Sequence, residues 1–161
     1  MEIAINGIIS ASQPHQQIRA IDGVHHVVIS DGNPDAHLVM RGYNYPKYRS
    51  NYDEGSVSDA VEQLRAAHID LGILIDCSHG NCGGDYRRQR EVARTALAHI
   101  QRGLPVRGVL IESHLRGGRT SISDSTPDDV SITDPCLSWE HTEELIWEWV
   151  HTRCGVIEGD H

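Results

Sequence analysis

Phenylalanine is missing altogether from this chain of 161 residues and 17.9 kDa, and lysine occurs once, as Lys47, against thirteen arginines. One lysine leaves a Schiff-base mechanism a single candidate amine. No apolar run approaches the ~20 residues that a membrane helix needs. The opening MEIAINGIIS has no basic segment ahead of its apolar residues. A secretory signal is therefore not expected, and the cytoplasm is the expected compartment. There is no GxGxxG opening a helix and no GxxxxGK[ST], so nucleotide-binding folds have no direct support. The cysteines Cys77, Cys82, Cys136 and Cys154 show no CxxC pairing, which argues against a structural zinc site. Basic charge is scarce too. A net charge of −9 argues against a general nucleic-acid binder, which needs a basic face to neutralise phosphates.

Against these absences, 39% hydrophobic and 23% charged residues describe an ordinary folded chain. The length suits one domain with a core of its own. The spacing of Ile3, Ile5, Ile8 and Ile9 predicts a helix over 2–12, ended by Pro14. Strands are predicted at 26–30 and 37–41, around the turn cluster 31–35. The polar stretch 43–55 reads as a loop. Ser56 and Asp59 form a capping pattern for a helix that carries Val57, Val61 and Leu64 on one face and ends near His68. The run 71–76 reads as a buried parallel strand. It leads into the Gly-rich loop 77–84, after which Asp85 can cap a helix lined by Val92, Ala96 and Ile100, with Ala93 and Leu97 beside them. A strand at 106–111, a polar loop at 117–129, a short strand at 130–133 and a helix from 139 to 150, capped by Ser138, complete the pattern. Residues 151–161 read as a tail. Alternation of this kind predicts βαβ units and a mostly parallel sheet.

In parallel α/β proteins, function gathers at the carboxyl ends of strands. Arg41, His79, Glu112 and Asp134 each follow an apolar strand pattern there: LVMR, ILIDCSH, VLIE and SITD. One histidine and two carboxylates make a nitrogen–oxygen donor set suited to Mn, Fe, Co or Zn. An arginine beside them offers its planar fork to a carboxylate or phosphate. Read singly, the same residues are ordinary caps and loop polars. The other histidines, scattered along the chain, read as surface residues.

These residues lie in stretches that resemble the C-terminal half of a known family, the class I 3-deoxy-D-arabino-heptulosonate 7-phosphate (DAHP) synthases. The stretches are Gly32-Asn33-Pro34-Asp35-Ala36-His37-Leu38-Val39-Met40-Arg41-Gly42, Asn51-Tyr52, and Ile75-Asp76-Cys77-Ser78-His79-Gly80-Asn81. They continue with Gly108-Val109-Leu110-Ile111-Glu112-Ser113-His114-Leu115 and Ser131-Ile132-Thr133-Asp134-Pro135-Cys136-Leu137-Ser138-Trp139-Glu140. The resemblance covers roughly residues 2–150. It implies half of a (β/α)8 TIM barrel, with about four to five mostly parallel strands and flanking helices over 1–150. The family condenses phosphoenolpyruvate with erythrose 4-phosphate on a divalent metal held by Cys, His, Glu and Asp. The last three fall on His79, Glu112 and Asp134, and a phosphoenolpyruvate-binding arginine falls on Arg41.

The departures are as informative. A whole barrel needs ~250 residues. The family's metal-binding Cys, its Lys-Pro-Arg-Thr and Gly-Ala-Arg-Thr segments and a phosphoenolpyruvate-binding Lys have no counterpart here. The second Gly of the family's Arg-Gly-Gly is Tyr43, and the Ser after Ser-His-x-Asn is Cys82. With so few cations, this chain alone is not expected to run the DAHP synthase reaction. The expectation is instead a metal-dependent enzyme of lyase, aldolase or hydrolase type acting on a small carboxylate or keto acid. Arg41 and Lys47 would bind the substrate, and His114 would serve as acid or base or as a loop histidine. Cys77 would be a catalytic or ligating thiol, a role open also to Cys82 and Cys136, or a packed core thiol. The alternative function is a non-catalytic metabolite-binding or partner protein of a full-length synthase. Half a barrel also exposes sheet edges, so a homodimer that closes one barrel is expected.

Overall fold

The computed structural model describes residues 1–70, 72–123 and 125–154. Helix α1 (Glu2–Ala11) leads into strands β1 (His15–Ile21) and β2 (Val24–Ser30), followed by β3 (Leu38–Met40) and α2 (Glu54–Ala66). Strand β4 (Ile73–Asp76) comes next, then a short 3-10 turn, Tyr86–Arg88, running straight into α3 (Gln89–Gln101). The chain continues through β5 (Val106–Leu110), β6 (Ser113–His114), β7 (Leu137–Ser138) and α4 (Trp139–Cys154). It is a mixed α/β fold whose centre is a parallel sheet in the order β3-β4-β5.

That sheet forms where the apolar runs are densest. Leu38, Met40, Ile73, Ile75 and Val106 point to one face and are buried beneath the helices. Ile5 and Ile8 of α1, Val57, Ala60 and Leu64 of α2, Val92, Ala93 and Ala96 of α3, and Leu145 of α4 fill the same core. Each helix thus contributes one stripe at three- and four-residue spacing. The opposite face, by strand alternation, carries Val39, Leu74 and Leu110. Val39 and Leu110 are each 43% exposed. Helix α4 lies against α3 through Arg94, which forks onto Glu148 at 2.8 and 2.6 Å, and through Arg90 to Glu144 at 2.9 Å. The Arg94 hydrogen bonds hold the Glu148 carboxyl below the usual carboxylate range. Among the described residues, no helix is long and apolar enough to cross a membrane.

Four expectations change. Residues 15–21, not expected as a strand, form β1 and pair antiparallel with β2, Ile21 opposite Val24, while the other strand ladders are parallel as expected. Its turn, Asp22-Gly23, has positive φ at both residues (51° and 77°), the twist that a two-residue hairpin turn requires. The segment 130–133 is not a strand: it touches the loop after β6 through an isolated bridge, Arg116 with Val130. Helix α2 starts earlier than the Ser56–Asp59 pattern implied. Asp53 is its N-cap, accepting the Ser56 N–H at 2.9 Å and the Ser56 hydroxyl at 2.6 Å. Helix α4 continues to Cys154, so the first four residues of the expected tail, 151–154, are helical. Residues 155–161 lie outside the described residues, as does Leu71 of the expected strand at 71–76.

The cap gives a clean test. The Ser56 hydroxyl and amide hold the Asp53 carboxyl below its ordinary value. Its stabilisation is therefore complete above the unfolded-state value and is lost as pH falls through the lower folded one. Asp53→Ala should cost about 1 kcal/mol in urea unfolding at pH 7, and the difference from wild type should shrink below pH 4.

Candidate metal centre

The C-terminal ends of β3 and β4 are joined by one buried side chain. Asn81, 1% exposed, donates from Nδ2 to the Met40 carbonyl at 2.9 Å and to the Asp76 carbonyl at 2.8 Å. Its Oδ1 accepts the Asn51 N–H at 2.8 Å, and Asn51 Oδ1 accepts the Gly42 N–H at 2.9 Å. Backbone then meets backbone. The Gly80 N–H donates to the Arg41 carbonyl at 3.1 Å. A Cβ on Gly42 would lie 2.7 Å from the Arg49 carbonyl oxygen, and one on Gly80 would strike the Tyr43 backbone. Only glycine permits this approach.

The locked loop aims His79. Its φ is +48°, a conformation uncommon for residues other than glycine. Its Nδ1 sits 2.8 Å from Asp76 Oδ2, while Asp76 Oδ1 accepts the Ser78 N–H at 2.8 Å. The carboxylate accepts from Nδ1–H, which leaves Nε2 as the candidate ligating nitrogen. Glu112 is placed from the other side. Gln89, fully buried at the start of α3, accepts the Glu112 N–H at 2.9 Å and donates to its carbonyl at 3.2 Å. Asp134 belongs to a stretch zipped to the loop after β6: Gly118 and Cys136 exchange bonds of 2.8 and 3.0 Å, and Thr120 N–H reaches the Ser131 carbonyl at 2.9 Å.

The result brings together the three residues expected as ligands. One donor atom each from His79, Glu112 and Asp134 lies within 4.8 Å of the others, and all three side chains are half-buried. The donor chemistry fits a divalent cation: one imidazole already oriented by a carboxylate, and two acids whose charges balance the ion. A cavity of about 330 Å³ opens onto His79 and Asp134.

The other expected site residues lie elsewhere. Cys77 is fully buried in the core, where desolvation, then the Asp76 charge, pushes its thiol far above the ordinary range. This burial suits the packed core thiol. Cys82 and Cys136 donate their S–H groups to the backbone carbonyls of His79 at 3.3 Å and Asp134 at 3.2 Å. No cysteine joins the ligand cluster among the described residues. His114 Nδ1 donates to the Asp129 carbonyl at 2.7 Å, which anchors a loop, and His114 does not line the cavity. Arg41 is exposed and Lys47 lines a separate open groove with Tyr45 and Arg49. Three residues were missed by sequence reasoning. Asp76 and Gln89 carry a signal only in hindsight, as polar residues at the end of an apolar strand and the start of a helix. Arg119, which lines the cavity, carries none.

The sequence profile of the DAHP synthetase I family matches residues 1–146. The chain belongs to the DAHP synthetase I family. It is 36% identical over 151 residues to the Tyr-sensitive phospho-2-dehydro-3-deoxyheptonate aldolase of Escherichia coli (strain K12), covering 90% of this chain and 41% of that protein. It is 35% identical to the Tyr-sensitive aldolase of Enterobacter agglomerans, covering 96% of this chain and 73% of that sequence. The solved phospho-2-dehydro-3-deoxyheptonate aldolase of Francisella tularensis SCHU S4 superposes with a TM-score of 0.84 at 27% identity, over 98% of this chain and 46% of that one. The chain thus spans about two fifths of the length of most of the relatives it matches.

Removal of the carboxylate behind His79 tests the arrangement. Asp76→Asn should weaken manganese binding 10- to 100-fold by calorimetry while leaving the circular dichroism spectrum unchanged.

Proposed function

We propose that the chain binds one divalent metal on His79, Glu112 and Asp134. With it the protein carries out lyase-, aldolase- or hydrolase-type chemistry on a small carboxylate or keto acid. The observation that carries this is the clustered triad, its histidine backed by Asp76. When bound, such a metal acts as a Lewis acid on a carbonyl or carboxylate oxygen, or lowers the pKa of a coordinated water. The residues divide the remaining work. Asp76 holds the His79 ring through Nδ1 and leaves Nε2 free to ligate, and Gln89 holds Glu112 by its backbone. We propose also that this chain alone does not run the DAHP synthase reaction. Two phosphorylated substrates call for several cations, and Arg119 is the one arginine or lysine among the described residues lining the cavity.

Purified protein should hold close to one equivalent of divalent metal by elemental analysis, and His79→Ala should lose it together with any turnover of keto-acid substrates. Protein that retains no metal, or a His79→Ala variant indistinguishable from wild type, refutes the reading. Co-purification of metal-free protein with a full-length synthase would favour the non-catalytic partner role instead.

The partner we propose is a second copy of this chain, covering the open sheet face in a barrel-like closure. Two features support it. Among the described residues, β3 and β5 each pair on one side only, and the face bearing Val39 and Leu110 is apolar and exposed. Unprotected edges of this kind recruit other strands, and an isologous pairing buries both copies at once. Sedimentation at micromolar concentration should give twice the chain mass. Val39→Glu should shift it toward the single-chain mass. A wild-type monomer refutes the proposal.

A further inference from the structure

The cavity has walls that the metal reading does not use. Arg119 stands on one of them, with Tyr48 and Tyr86 also lining the space. Arg119 makes no ion pair with a described carboxylate; its guanidinium reaches only the Thr133 carbonyl, at 3.4 Å. Arg116, three residues earlier, is already engaged by Asp129 at 2.9 Å. The backbone carrying Arg119 is fixed on both sides, by Gly118 to Cys136 and by Thr120 to Ser131. Tyr48 lies over Gly84, where a Cβ would come 2.9 Å from its ring, and Tyr86 packs against Gly117.

Charge gives this wall a purpose. A divalent ion on Glu112 and Asp134 is neutralised by the two carboxylates, and Asp76 behind His79 adds a third negative group. Little net attraction for an anion remains at the triad. The chain as a whole carries −9. A ligand with a second negative group therefore needs a local cation, and Arg119 is the one at hand. Its fork matches a carboxylate or a phosphate, and phenol hydroxyls can donate to the same oxygens.

We propose that Arg119, flanked by Tyr48 and Tyr86, is a distal anion subsite. It takes the second anionic group of a compact acid whose other oxygen-bearing end lies on the triad. The proposal rests on the metal reading and narrows it from small acids in general to acids with two anionic ends, the second being a carboxylate or a phosphate. A cavity of about 330 Å³ sits at the small end of the ~300–1,000 Å³ range of ligand pockets, which suits such a molecule.

The test is calorimetric titration of manganese-loaded protein with three acids that share a 2-hydroxy-acid head: lactate, malate and 3-phosphoglycerate. Wild type should bind malate or 3-phosphoglycerate at least tenfold more tightly than lactate, and the tighter of the two identifies the second group. Arg119→Ala and Arg119→Gln should both erase that preference, leaving lactate and manganese affinities within twofold. Arg119→Lys should restore part of it. Circular dichroism confirms that the variants fold. A wild type that does not discriminate, or a preference that survives in Arg119→Ala, overturns the subsite while manganese binding stands. Wild-type protein that binds no manganese overturns the metal reading and the subsite with it.

Discussion

The amide of Asn81 is the constraint on which the rest of the site depends. Parallel strands diverge at their ends, and their last carbonyls have no strand partner there. Asn81 answers two of these carbonyls with one NH2 group and an amide from the next loop with its oxygen. Each of those groups, left buried and unmatched, costs about 1–3 kcal/mol. Satisfying them together is what allows the loops after β3 and β4 to touch backbone to backbone at Gly42 and Gly80. The turn that presents His79 is a by-product of that contact.

The ligands share a logic of support. Each is held by a side chain or loop beyond its own residue. His79 leans on Asp76 at the end of β4, Glu112 is gripped through its peptide by Gln89 of α3, and Asp134 rides on a stretch zipped to the residues around Gly118. The three supports come from different parts of the chain. The cluster therefore exists only once the helices have docked, so a metal bound there would be coupled to folding by geometry. The thiols beside the site take part in the same way, as donors to the carbonyls of His79 and Asp134.

How much of this was legible in the sequence varies with the range of the interaction. Strands β3, β4 and β5 were readable because dense apolar runs bounded by turn residues admit few other interpretations. The triad was readable because it sits where such runs stop. Strand β1 was missed because every one of its residues is exposed, so no burial pattern marks it; the Asp22-Gly23 turn was the signal to follow. The segment 130–133 looked like a strand by composition, yet its neighbours offer it one isolated bridge in place of a ladder. Asp53 lost to Ser56 because Gly55 blurs the first turn of α2. Asp76, Gln89 and Arg119 acquire their roles only through contacts or cavity walls that local sequence does not encode.

His79 carries a further meaning for how this protein can change. A left-handed backbone is a standing cost for any residue with a Cβ, on the order of 1 kcal/mol. Glycine at position 79 would relieve it. The chain therefore has, at its candidate metal ligand, a single substitution that trades away chemistry for stability. Glycine or asparagine would sit there without strain, and a histidine kept at that position carries the cost.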